Sequence, residues 1–263
     1  KDAPAWIAEF AADHTAPEAS AFFWNAVEAN EGRKDAQLAR EFVLALPVEL
    51  TTAQNIELVR DFVARVLSAH GIVADWAYHD IKDNPHVHLM TSLRPLTNEG
   101  FGAKRVPVLG DDGAPVRGKD GKIRYEQFTG GLERLRDIRA SWAETQNHHL
   151  AKHGHDIRVD HRSFEDLGID AVPSKHRGPA SDNMDARGEV SELAEKAKLA
   201  ARENYLRYAD DPALVLKKIT TQKAVFTRHD IAREIHRTEC SASEFQSLFY
   251  QLGAHEELVP VAA

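Results

Sequence analysis

Two histidines separated by one residue, His86 and His88, are the part of this sequence best suited to metal chemistry. Side chains alternate between the two faces of an extended strand, so both imidazoles are expected on one face. A second predicted strand ends at His79, and the turn-forming residues 80–85 predict a hairpin that brings His79 beside the other two. Three imidazoles on one sheet face could hold a divalent cation and leave coordination positions open for a substrate oxygen.

The residue types alone leave alternatives to this metal site open. A histidine on a strand often has an ordinary structural role, and it is the third histidine that favours metal binding. Imidazole suits zinc, manganese, iron and nickel, and suits magnesium less well. Glu41 lies in an otherwise apolar predicted strand and could accept the second ring N–H of a ligating histidine. A solvated glutamate on an edge strand is the alternative for this residue.

Composition limits the class of protein. The chain has 263 residues, 43% hydrophobic and 28% charged, which predicts a globular domain with or without an appendage. No apolar run approaches the ~20 residues that a membrane span needs. Cys240 is the only cysteine, so cysteine-ligated zinc and an internal disulfide are excluded and a reducing cytoplasm is expected. Residues 1–6 contain neither an initiator Met nor a signal peptide, so we expect a piece of a longer chain.

Charge is unevenly distributed. The net charge of −8 argues against a broad nucleic-acid surface, but residues 79–162 hold 14 Lys and Arg against 12 Asp and Glu. Phosphate contacts are therefore permitted in this segment. Arg136 and Arg139 on a predicted helix, and His161 and Arg162 after a predicted strand, are the candidates. The alternatives are a solvated helix face for the first pair and a charged loop for the second.

The order of predicted elements favours an α+β fold, in which helices cover an antiparallel or mixed sheet. A turn-rich segment, 110–121, is expected to form an exposed excursion or small hairpin. His149 and His153 are interpreted as part of a helix end that the helix dipole favours, and not as metal ligands. The predicted helices are 17–31, 51–70 and 132–153, and the predicted strands are 38–46, 72–79, 86–90 and 156–160.

The second half of the chain has a different pattern. Residues 163–188 are irregular and rich in turn formers, and four helices are predicted after them. We therefore expect three parts: a sheet-containing domain over 1–165, a linker over 166–188 and a small all-helical segment over 189–263.

Several blocks of this sequence resemble the MobA/MobL group of plasmid relaxases, most closely its conjugative-transfer members from Ti-like and rhizobial plasmids. The blocks occur in the family's order and span nearly the whole chain. They are Ala39–Pro47 with Glu49-Leu50, Tyr78–Met90, Leu135–Arg139 with Trp142, Asp156–Ser163 and Val225–Ala232.

The resemblance implies an HUH-type endonuclease, in which histidines of a central antiparallel sheet bind one divalent metal ion. It implies that His79, His86 and His88 form this triad, that Glu41 is a catalytic acid beside it, and that Mg²⁺ or Mn²⁺ is the ion. The implied substrate is single-stranded DNA at a plasmid transfer origin, nicked in the bacterial cytoplasm together with relaxosome accessory and coupling proteins. The C-terminal helices resemble the segment that leads towards a helicase domain in longer relatives.

One feature of the family has no counterpart in this sequence. In the family the nucleophilic tyrosine lies near the start of the protein, just after the first strand, and this sequence begins downstream of that region. We therefore expect residues 1–165 to hold the metal-binding half of the site without the first strand or the nucleophile, and to be inactive in nicking alone. The alternatives are a metal-dependent phosphoesterase that uses metal-bound water and a non-catalytic DNA-binding module. The tyrosines present are Tyr78, Tyr125, Tyr205, Tyr208 and Tyr250.

Overall fold

The fold is α+β, as predicted, and its internal contacts divide the chain into two units, 1–155 and 156–263. The predicted three-part division stays a prediction, because part of its linker, 166–188, lies outside the described residues. The computed structural model describes residues 4–110, 112–128, 130–174, 178, 181, 183–184, 187–189 and 191–259.

The first unit contains a three-stranded sheet, several short strands and helices, and its main elements match the predicted ones. The predicted helix 51–70 is α-helical only to Phe62 and continues as a π-helical and then a 3-10 turn to His70. The first helix was not predicted. The elements are α1 Ala5–Ala12, α2 Ala16–Asn30, β1 Ala39–Ala45, α3 Thr52–Phe62, β2 Ala74–His79, β3 His86–Ser92, β4 Leu96–Thr97, β5 Gly100–Phe101, β6 Val106–Pro107, β7 Tyr125–Glu126 and α4 Leu132–Lys152.

The central sheet has the strand order β1-β3-β2, and both pairings are antiparallel. On one face of β3, Val87 and Leu89 are completely buried, and Leu44 of β1 lies opposite Val87. Alternation therefore places His86 and His88 on the other face. The burial of the apolar face fixes the register, because a slip by one residue would expose these side chains.

Specific residues mark where α3 begins and where the helical turns that follow it end. At the start, Thr51 and Gln54 form a capping box, in which the Gln54 side-chain Oε1 accepts the Thr51 N–H at 2.8 Å. At the end of the following turns, Gly71 has a φ of 73°, and a Cβ there would lie 3.0 Å from the Leu96 carbonyl oxygen. Glycine therefore suits both the left-handed backbone and the close approach of the neighbouring chain.

Helix α2 packs on part of the imidazole-bearing face. The Ser20 hydroxyl and the Trp24 Nε1 both donate to Oδ2 of Asp75, the latter at 3.2 Å. Asp75 and His79 lie four residues apart on β2 and share a face of the sheet. The helix therefore covers this face at the end of β2 that lies away from His79.

The predicted excursion is not a single hairpin but two successive turns of the same kind. The first turn begins at Gly110 and the second at Gly118. In each turn the glycine carbonyl accepts the N–H of the residue three positions later, and the glycine N–H donates to the carbonyl of the residue four positions later. Val108, Val116 and Arg124 are eight residues apart and form a closed ring of backbone hydrogen bonds of 2.8–2.9 Å. An eight-residue repeat in the sequence, with its units beginning at Gly110 and Gly118, underlies this arrangement.

The predicted strand at 156–160 is wrong. The segment is extended but is not assigned as a strand, and the Arg158 N–H donates to the Gln222 carbonyl at 2.8 Å, outside any described strand. Alternating apolar and polar residues predict a strand only where a neighbouring strand is available to pair. Asp160 instead binds the guanidinium of Arg162, and this hydrogen bond lowers the pKa of Asp160 to about 2.

The second unit is helical, and the four predicted C-terminal helices are present. Its own core contains Tyr208, Val215, Ile235, Leu248 and Leu252, each at most 1% exposed. No helix in the described part of the chain is long and apolar enough to cross a membrane. The helices are α5 Glu192–Asp210, α6 Ala213–Thr220, α7 Arg228–His236 and α8 Ala242–Gly253.

Asp230 holds the start of α7 in place. Its Oδ2 accepts the Thr227 N–H and hydroxyl, both at 2.9 Å, and its Oδ1 accepts from Lys223 at 3.0 Å. Burial alone would raise the pKa of Asp230, but the hydrogen bonds from Thr227 and Lys223 outweigh it and lower the pKa to about 2. The charged form of this carboxylate therefore stabilises the second unit.

We predict that Asp230→Asn destabilises the protein by about 1–2 kcal/mol at pH 7, because the cap loses its charge. A carboxylate whose pKa is lowered on folding stabilises the native state above the unfolded pKa and loses this effect as pH falls through the folded pKa. The difference in the free energy of unfolding between variant and wild type should therefore decrease by about half as the pH falls from 5 to 3. Urea unfolding measures it, with the exposed Asp210→Asn as control; a pH-independent difference would contradict the assignment.

Candidate metal centre

The structure brings the three predicted histidines together on one face of the central sheet. His79 lies directly opposite His86 across the β2–β3 pair, and His88 follows on the same face. Their ring centroids are 4.6–5.4 Å apart. Each ring offers one nitrogen, and these nitrogens all lie within 4.8 Å of one another. The geometry is that of a group able to hold one metal ion.

Two of the three rings are oriented by hydrogen bonds at Nδ1. Nδ1 of His86 lies 2.9 Å from the Asn84 carbonyl oxygen, and Nδ1 of His88 lies 2.6 Å from Oε1 of Glu41. Both partners are acceptors, so in the neutral form of each ring Nδ1 carries the proton and Nε2 keeps its lone pair. This is the arrangement that metal-ligating histidines usually have. The donor set therefore fits a divalent cation that accepts imidazole.

The face that carries the imidazoles is accessible to a large ligand. His79 is exposed, and His86 and His88 are partly buried. Val43, which lies opposite His88 on β1, is 60% exposed and leaves that side of the ring uncovered. The ring nitrogens are therefore open to a large ligand.

Glu41 lies where an acid beside the triad was predicted. It belongs to β1, opposite Met90, and reaches diagonally across the pair to His88. The contact favours a positioning role, in which Glu41 holds the ring of His88. The catalytic role that the resemblance implies for Glu41 stays a prediction.

Sequence reasoning missed the carbonyl of Asn84, which orients His86. A backbone carbonyl carries no signature in a residue type, and its direction depends on the turn between the two strands. In that turn Asp83 has a φ of 61°, a left-handed backbone that aspartate tolerates better than most residues. The run Asp83-Asn84-Pro85 was recognised only as a turn.

The four predicted phosphate-binding residues are divided between the two units. Arg136 and Arg139 are exposed on the first half of α4, in the first unit. His161 and Arg162 belong to the second unit, where Arg162 is bound to Asp160 at 2.7 Å. DNA contact by any of them stays a prediction.

Tyr78 is paired with Val87 and lies on the opposite face of the sheet from the imidazoles. Tyr208 is buried in the second unit and donates to Glu234 at 3.2 Å. Its burial raises the pKa of the phenol, which disfavours the phenolate that attack on phosphorus needs. Tyr125 and Tyr250 are exposed.

Comparison with known families identifies the chain's relatives. The model of the MobA/MobL family matches residues 1–187, a range that includes the three histidines and Glu41. The chain belongs to the MobA/MobL family. The predicted resemblance is therefore confirmed.

Curated relatives have names that refer to conjugal transfer. The chain is 45% identical over 257 residues to the conjugal transfer protein TraA of Rhizobium radiobacter, covering 95% of this chain and 23% of TraA. It is 44% identical to TraA of Agrobacterium fabrum, covering 98% and 24%. The chain thus spans about a quarter of the length of these relatives. A solved structure from "Molecular Basis of Vancomycin Resistance Transfer in Staphylococcus aureus" aligns with 54% of this chain and 66% of its own, at 33% identity and a TM-score of 0.44.

We predict that Glu41→Gln weakens Mn²⁺ binding at the triad by roughly 10–100-fold, because the amide accepts the His88 N–H less strongly than a carboxylate does. Calorimetric titration with Mn²⁺ measures the affinity. Glu49→Gln is the matched control, since it removes the same charge from an exposed residue just beyond β1. Equal weakening in both variants would show that net charge, and not the contact with His88, sets the affinity.

Proposed function

We propose that this chain carries the metal-binding part of a relaxase, which nicks single-stranded DNA at a plasmid transfer origin during conjugation or mobilisation. The observation that carries the proposal is the cluster of three imidazoles, oriented by Glu41 and by the Asn84 carbonyl, on an open sheet face. Membership of the MobA/MobL family and the transfer-related names of the relatives support the substrate. Accessory and coupling proteins of the relaxosome, and a bacterial cytoplasmic location, belong to the same proposal.

The residues of this chain would act mainly by positioning. His79, His86 and His88 would hold one divalent cation, Mg²⁺ or Mn²⁺ by family resemblance, through ring nitrogens that lie within 4.8 Å of one another. When bound, such a cation polarises a phosphoryl oxygen and stabilises the charge that develops there. Glu41 keeps the ring of His88 in one tautomer and orientation, so the ligand set is arranged before DNA arrives. The exposed face around Val43 admits the strand.

The nucleophile decides between two reactions. Tyr78, the only tyrosine in the three strands of the central sheet, faces away from the imidazoles. Attack by a tyrosine forms a bond from the phenol oxygen to phosphorus, releases the 3′ hydroxyl of the neighbouring nucleotide and leaves a covalent 5′ adduct. Attack by water gives a free 5′ phosphate instead, which is the outcome for a metal-dependent phosphoesterase. The orientation of Tyr78 is the observation that keeps this second function in consideration.

The nicking proposal predicts metal-dependent transfer activity that the triad controls. Changing His86→Ala in the plasmid-borne gene should reduce conjugative transfer by several orders of magnitude, because the ligand set loses a nitrogen. Transfer frequency from donor to recipient cells is the measurement. His148→Ala is the control, as it removes an exposed histidine outside the triad. Wild-type transfer by the His86→Ala strain would rule out a catalytic role for the triad.

Oligonucleotide cleavage separates the three functions. The purified chain is incubated with Mn²⁺ and labelled single strands that tile the plasmid's transfer origin, and the products are resolved on denaturing gels. A protein-linked 5′ end supports tyrosine attack, and a free 5′ phosphate supports water attack. Binding without cleavage, unchanged when the metal is chelated, supports a DNA-binding module.

We further predict that Arg136→Ala with Arg139→Ala weakens single-stranded DNA binding and lowers its dependence on salt. Each phosphate contact contributes about 0.7 to the slope of log K against log salt, so the slope should fall by about 1.4. Fluorescence anisotropy at several NaCl concentrations measures it. Arg33→Ala is the control, because Arg33 is exposed and already paired with Asp35. An unchanged slope would place the DNA elsewhere. Arg162→Ala should have a smaller effect, since Arg162 is bound to Asp160.

A further inference from the structure

A second group of ligand-type side chains lies between α3 and α4, and the proposed function does not use it. Glu57 of α3 and His149 and His153 of α4 each offer one ligand atom, and these atoms lie within 4.8 Å of one another. The two histidines are four residues apart and share a face of α4. We propose that these three side chains bind a second divalent ion, of the Zn²⁺ type, which links α3 to α4.

His149 lies in the last turn of α4, as the sequence predicted, and its surroundings also suit a metal ligand. Its side chain is 3% exposed, and its Nε2 lies 3.2 Å from Oδ2 of Asp61. Arg65 binds the other oxygen of Asp61 at 2.9 Å, so the carboxylate stays an acceptor and takes the Nε2–H. The lone pair is therefore on Nδ1, which is buried without a hydrogen-bond partner among the described residues. A carboxylate behind a histidine with a free second nitrogen is the usual support of a metal-bound imidazole.

His153 contributes a second buried nitrogen, with one rearrangement. Its Nε2 is also buried without a partner among the described residues, and its Nδ1 lies 3.0 Å from Nε2 of Gln54. The capping box fixes the Gln54 amide, because Oε1 accepts the Thr51 N–H. Gln54 thus donates to Nδ1, and the neutral ring carries its proton on Nε2. Metal binding at Nε2 would move the ring proton to Nδ1, so the Gln54 amide would have to turn and give up its hydrogen bond with the Thr51 N–H.

Glu57 completes the set from the solvent side. Nζ of Lys152 lies 2.5 Å from Oε1 of Glu57, and both side chains are about half exposed. The lysine can therefore move into solvent when a cation binds to Glu57. Two imidazoles and one carboxylate are the donor set of many three-ligand zinc sites, and they favour Zn²⁺ over the harder Mg²⁺. The ligands come from two different helices, so a bound ion would stabilise their packing.

The experiment uses the full chain with His79→Ala, His86→Ala and His88→Ala combined, so that only the second site can bind. This background also keeps the test independent of the nicking proposal. Titration with Zn²⁺ should show one ion per chain, and the thermal unfolding midpoint should rise with Zn²⁺ concentration. If the triple variant is folded by circular dichroism and binds no Zn²⁺, the proposal is overturned.

Single substitutions in this background locate the ion. Glu57→Gln and His153→Gln should each weaken Zn²⁺ binding roughly tenfold or more, because each removes a ligand. His148→Ala is the matched control, since His148 is the exposed neighbour of His149 on the same helix. Co²⁺ absorption spectra report the ligand field independently of affinity. Loss of binding in His148→Ala, or full binding in Glu57→Gln and His153→Gln, would contradict the assigned ligands.

A gain of affinity tests the role given to Gln54. Gln54→Glu keeps the capping box and supplies a carboxylate that can accept the Nδ1–H of His153, so Zn²⁺ should bind more tightly. Ala53→Glu is the control, because it adds the same charge at the neighbouring exposed position. Asp61→Asn should weaken binding by roughly 10–100-fold. Equal tightening by Gln54→Glu and Ala53→Glu would overturn the ligand role of His153.

Discussion

The register of β3 between its two neighbours is the constraint on which the rest of the first unit depends. Val87 and Leu89 are completely buried on one face of the sheet. Because side chains alternate along a strand, His86 and His88 lie on the opposite face. The same pairing sets His79 opposite His86 and brings Glu41 within reach of His88. A hydrophobic preference on one side of the strand thus determines the polar arrangement on the other.

Local sequence signals predicted the parts of the structure that are themselves local. The triad follows from alternation and a turn, and the caps at Thr51 and Thr227 are readable from neighbouring residue types. The strand predicted at 156–160 failed because pairing depends on a partner far along the chain. The buried contact of His149 was missed for a related reason, because it joins His149 to Asp61, 88 positions away, and no local pattern reveals it.

The two units achieve stability in different ways. In the first unit, the sheet holds the three imidazoles in place, and polar contacts such as those of Asp75 and Asp61 join separate elements. The second unit has an apolar core with charged groups at its border, where Glu234 binds Lys218 at 2.6 Å. The ionised carboxylate of Asp230 adds to the stability of this unit, whereas the register of the sheet depends mainly on apolar burial.

The two successive turns between β6 and β7 have a consequence for how the length of this segment can change. In each turn, a backbone hydrogen bond joins two residues that are eight positions apart in the sequence. Removing one turn would convert the ring of Val108, Val116 and Arg124 into the reciprocal pair of an ordinary hairpin. Duplication or deletion of eight residues would thus change how far this segment projects while β6 and β7 stay paired.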